Sequence, residues 1–68
     1  MLRIRQLRER KGVSLRELAR RAGIGVATLS RIEAGVANPR LSTLLLLAKV
    51  LGVFVGKLFE KPSGRKGG

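Results

Sequence analysis

The sequence predicts an all-α fold, a compact bundle of five short helices. Three observations carry that reading. Glycines and prolines divide the 68 residues into short segments. Apolar residues recur within those segments at helical spacing. One segment opens on a complete helix-capping signature, Ser14-Leu15-Arg16-Glu17. A chain of this length holds one domain, with a modest core and a thin stability margin.

The first helix is expected over residues 2–11, with Ile4 and Leu7 on one face and arginines on the other. Gly12 ends it, because glycine takes the left-handed position after a helix cheaply. At the start of the second helix the Ser14 hydroxyl can accept the Glu17 N–H while the Glu17 carboxylate reaches back to the Ser14 N–H. Leu15, Leu18, Ala19 and Ala22 then make one apolar stripe, and Gly23 stops the helix. After the turn Gly23-Ile24-Gly25 a third helix buries Leu29 and Ile32 and stops at Gly35. The loop 35–39 ends on Pro39, which can precede or open a helix. The fourth helix, 41–51, is expected to face Leu41, Leu44, Leu45, Ala48 and Leu51 inward, with Gly52 as its stop. A last short helix, 55–60, is expected to anchor Leu58 and Phe59 in the core. The domain thus covers 1–60, and the Pro/Ser/Gly/Lys stretch 61–68 is expected to be a disordered basic tail.

Charge narrows the function. Fifteen Lys and Arg against four Glu give +11. Residues 1–21 hold eight cations and two acids. Such a field favours a polyanion, nucleic acid before an anionic membrane surface. Solvated arginine faces explain some of the cations but not the scarcity of acids. Cysteine and histidine are absent, which excludes disulfides, thiolate or imidazole zinc sites, and Ser-His or Cys-His catalysis. Glu9, Glu17, Glu33 and Glu60 lie in four different segments. Neither an enzyme, a cofactor, a metal nor a small-molecule ligand is expected. No apolar h-region follows the basic N-terminus. The stretch 44–56 is broken by Lys49 and falls short of the roughly 20 apolar residues a bilayer span needs. The expectation is a soluble cytoplasmic protein with no membrane partner. No second, effector-binding domain is visible, so regulation is expected from concentration, a partner or cooperativity.

Residues 15–34 carry the functional signal. Two helices joined by a three-residue turn cross steeply. The close crossing needs a small residue on the first helix, supplied by Ala19, and a turn tolerant of positive φ, supplied by Gly23. Ile24, Leu29 and Ile32 anchor the second helix from behind, freeing its other side. With these stretches in view, the chain resembles the Cro and phage-repressor family, the XRE-like helix-turn-helix proteins. The matching residues are Ile4-Arg5-Gln6-Leu7-Arg8, 11–19, Gly23, Thr28-Leu29-Ser30-Arg31-Ile32-Glu33, Gly35, Asn38-Pro39, Leu44-Leu45, Ala48-Lys49 and Leu51-Gly52-Val53. They span about residues 2–60. The resemblance implies a lambda-repressor-like fold and sequence-specific binding of double-stranded DNA, usually as a homodimer, with the third helix in the major groove. The implied role is transcriptional regulation, most simply as a repressor.

Carried over position by position, the resemblance assigns base contact to Val26, Ala27, Thr28, Ser30 and Arg31. Phosphate contact falls to Arg8, Ser14, Leu15, Arg16, Gly25, Asn38 and Arg40. Four of these positions depart from the family pattern. Val26 and Ala27 replace the usual polar residues; they either pack on a thymine methyl or merely fill the helix. Leu15 stands where a polar contact is common, leaving only backbone amides at that helix start to meet a phosphate. Arg40 replaces a capping serine, which costs roughly 1 kcal/mol unless Asn38 or Ser42 takes over. The resemblance also implies a structural pair, Arg8 with Glu33. Leu46, Val50 and Phe54 are apolar where relatives are mostly polar, Val55 follows them, and the four are expected to form the dimer interface. The competing expectations are a Phe54 folded inward, or a different protein on that patch, as in an antitoxin-like module that uses this fold to hold a partner.

Overall fold

The computed structural model describes residues 3–59. Leu2, Glu60 and the expected tail 61–68 lie outside the described residues. Four α-helices follow one another: α1 Ile4–Arg10, α2 Leu15–Ala22, α3 Val26–Ala34 and α4 Leu41–Leu51. A 3-10 helix, Val55–Phe59, closes the described chain. The fold is all-α, with no strand among the described residues.

The fifth element is a 3-10 helix for a local reason. Five residues that include Gly56 are too few to repay α-helix nucleation, and the Lys57 N–H instead bonds the Phe54 carbonyl three residues back, at 2.9 Å. Three residues per turn put Val55 and Leu58 on the same side. Leu58 is fully buried and Val55 packs on the core. Phe59 falls on the next side and is half exposed, which corrects the expectation that it anchors in the core.

The core is assembled from every helix: Ile4 and Leu7, Leu18, Ala19 and Ala22, Leu29 and Ile32, then Leu44, Leu47, Ala48 and Leu51, with Leu58 from the 3-10 helix. α2 packs on both α3 and α4, α1 packs on α4, and α4 carries the 3-10 helix. α4 is turned away from its expected orientation. Leu47 is fully buried, whereas Leu41 is 64% and Leu45 49% exposed; both were expected to face inward. Four consecutive leucines, 44–47, contain no periodicity, so the side facing the core is set by packing against α2 and the 3-10 helix.

The turns use one device repeatedly. Gly23 sits at φ 73°, where a Cβ would be strained, and the following Ile24 N–H reaches back to the Ala19 carbonyl at 3.0 Å. Gly35, at φ 79°, lets the Val36 N–H close on the Arg31 carbonyl in the same way. This is the Schellman cap, usually accompanied by an apolar contact from the residue after the glycine. Ile24 makes that contact with the core; Val36 does not, and is 73% exposed.

At the start of α2 the Ser14 hydroxyl accepts the Glu17 N–H at 3.0 Å. The other half of the expected capping box is not made. The Glu17 carboxylate instead receives Arg20 and Arg21, each at 2.6 Å, and these hydrogen bonds hold its pKa below the usual carboxylate value. α4 begins without any side-chain cap: Arg40 occupies the cap position, and neither Asn38 nor Ser42 replaces it.

Candidate nucleic-acid interface

α2 and α3 are joined by the three residues 23–25, with Ala19 buried at the crossing. Leu29 and Ile32 sink into the core and Ile24 packs behind them. That single-sided anchoring leaves Val26, Ala27, Thr28, Ser30 and Arg31 all exposed. The five expected base-facing residues therefore share one open helix face.

The expected phosphate-facing residues separate into groups. Ser14, Arg16, Gly25 and Val26 line one shallow concave surface, together with Glu17, Arg20 and Ile24. Arg8, Leu15 and Ser30 line a second, with Arg5, Glu33 and Ala34. The start of α2 thus lies between two hollows, each of which also contains a residue of the exposed face of α3. Asn38 lies in a third hollow with Pro39, Leu44 and Phe59, and Arg40 follows it at the cap of α4. Arg5, Arg20 and Ala34 also line these first two hollows, and no individual contact was expected of them. The signal of Arg5 was available, since it precedes Arg8 by three positions and so lies on the same side of α1.

Electrostatics separate the arginines further. Among the described residues every glutamate is engaged internally: Glu9 by Arg5, Glu17 by Arg20 and Arg21, and Glu33 by Arg8. Arg10, Arg16, Arg31 and Arg40 hold no carboxylate among those residues, so three of the expected contact residues keep an uncompensated charge at the surface.

Arg8 has a different position. Its Nε and Nη2 donate to the two Glu33 oxygens at 2.8 and 3.2 Å, and Nη1 donates to the Val13 carbonyl at 3.0 Å. The side chains of Arg8 and Glu33 are only 13% and 7% exposed. The Glu33 hydrogen bonds hold the guanidinium pKa above its ordinary value, against the opposing effect of burial. Arg8 ties α1 to the end of α3 and to the turn before α2, so it orders the frame around the exposed face.

α3 starts without a side-chain cap. Gly25 occupies the cap position in extended geometry, and the N–H groups of the first turn receive no side-chain acceptor there. Unsatisfied N–H groups at a helix start attract anions. Leu46 is 46% and Phe54 89% exposed, so Phe54 is not folded inward. Val50 and Val55 are half-buried and lean on the core.

No helix among the described residues is long and apolar enough to cross a membrane. Comparison with known proteins matches residues 4–53 to the helix-turn-helix family. The transcriptional regulator DdrOP3 of Deinococcus deserti is 43% identical over 58 residues, which is 85% of this chain and 45% of that one. SinR of Bacillus subtilis is 42% identical over 60 residues, 87% of this chain and 54% of that one. The crystal structure of SinR in complex with DNA superimposes with a TM-score of 0.79 at 41% identity, covering 84% of this chain and 92% of that one. The chain spans about half the length of these two curated relatives. It belongs to the helix-turn-helix family, the XRE-like kind whose motifs it carries.

Proposed function

We propose that this chain binds double-stranded DNA in a sequence-specific manner and regulates transcription, most simply as a repressor. The observation that carries the reading is the face of α3: five exposed residues, including an uncompensated Arg31, on a helix whose opposite side is locked into the core. Such a helix fits the major groove, where Arg31 has the geometry for a bidentate guanine contact. Ser14, Arg16 and the open N–H groups of α2 and α3 flank it and suit phosphates. The relatives named as transcriptional regulators, and the SinR complex with DNA, support the same reading.

The chain acts as a symmetric homodimer in this proposal. The apolar patch of Leu46, Val50, Phe54 and Val55 meets its own copy and sets the two α3 helices about 34 Å apart, one turn of DNA. Selection of bound duplexes from a random pool tests the function. A palindromic motif with half-sites one turn apart is expected, and a pool that never enriches sinks the proposal.

A further inference from the structure

We propose that the leading turn of α3 reads the C5-methyl group of pyrimidines, so that the chain senses cytosine methylation within its site as well as thymine. The inference rests on the DNA-binding reading above and deepens it. Val26 and Ala27 open α3 and are exposed, Val26 by 41%. Ile24 and Leu29, on either side, pack with the core; Val26 does not. Its branched apolar side chain is therefore no part of the core, and it lines the concave surface together with Ser14 and Arg16. Those two groups suit phosphates and would hold that end against the groove wall.

The same end lacks polar side-chain readout at its first positions. Gly25 offers no capping side chain. A Cβ there would meet only the Thr28 Oγ1, at 3.7 Å, so space does not force the glycine. Val26 and Ala27 cannot tell the O4 acceptor of thymine from the N4 amine of cytosine. What an apolar side chain detects in the major groove is the thymine methyl. 5-Methylcytosine carries that methyl on the same ring carbon, so the shared chemistry is a 5-methylpyrimidine.

The decisive measurement is fluorescence anisotropy on a selected site, with each thymine replaced singly by uracil, by cytosine and by 5-methylcytosine. One or two thymines per half-site should lose about fourfold in Kd with uracil, the equivalent of one buried methylene. Cytosine at those positions should bind more weakly than 5-methylcytosine by a similar factor. The Val26→Ser, Ala27→Ser double variant alters exposed positions away from the core, and a thermal melt verifies its fold. It should bind the thymine site only about as tightly as the wild type binds the uracil site, and no longer distinguish the two. Responses below about twofold at every position overturn the methyl reading while leaving DNA binding intact, and so does discrimination that persists in the folded double variant. Failure to bind any duplex overturns both readings together.

Discussion

Arg8 and Glu33 lie 25 positions apart and join three parts of the chain through one guanidinium. Glu33→Ala would leave a nearly buried cation with only the Val13 carbonyl. Removing one partner of a buried pair costs about 3–5 kcal/mol, and the remaining carbonyl argues for the lower end. At about 4–8 °C per kcal/mol for a domain this small, the melting temperature by circular dichroism should fall by more than about 12 °C. A change of only a degree or two would show that the pair contributes little. Periodicity and spacing do not connect two residues so far apart in sequence; only the family resemblance pointed to this pair. The Ser14 cap, by contrast, was legible because its partner is three residues away. The Glu17 half of that signature failed because two arginines one turn along compete for the same carboxylate, and a charged donor outcompetes a neutral amide.

At the level of elements, boundaries set by glycine were readable and the orientation of α4 was not. The stops at Gly23, Gly35 and Gly52 lie where the sequence places them, since left-handed geometry is local, whereas α1 ends at Arg10, one residue earlier than expected, with Lys11 as its cap. The face of α4 depends on which of four consecutive leucines meets α2, a non-local outcome. α4 also begins on Arg40 with no cap. Arg40→Ser should supply one and stabilise the domain by about 1 kcal/mol, raising the melting temperature by about 4–8 °C. If Arg40 touches a phosphate, the same variant should bind DNA more weakly, and the salt slope should fall by about one for each phosphate no longer neutralised. Higher stability with unchanged DNA binding would assign Arg40 to the solvated surface; no gain in stability would show that the α4 start is satisfied in another way.

At the scale of the molecule, all three described glutamates are spent on internal pairs, so the field reaching solvent is almost purely positive. A dimer touching roughly 6–10 phosphates should weaken by about 10³–10⁵ in affinity between 50 and 200 mM salt, as read by anisotropy titrations. A flat salt response would remove phosphate neutralisation as the source of binding. Sedimentation of the wild type against a Leu46→Lys, Phe54→Ser variant tests the proposed dimer. The wild type should self-associate at micromolar concentration and the variant should not. A monomeric wild type with an equally tight variant on DNA would rule the patch out as the interface. The charge surplus and the apolar residues at 46, 50, 54 and 55 were visible in the sequence; the internal consumption of the acids, which decides where the surplus is expressed, required the fold. The Arg3 N–H donates to the Leu58 carbonyl at 2.7 Å, so the polypeptide enters and leaves the domain side by side. Such a body is a cassette: spliced into a surface loop of a host protein it would need almost no reach from the host and little loop-closure entropy, and a short peptide joining residues 59 and 3 would let the chain be reopened elsewhere as a circular permutant.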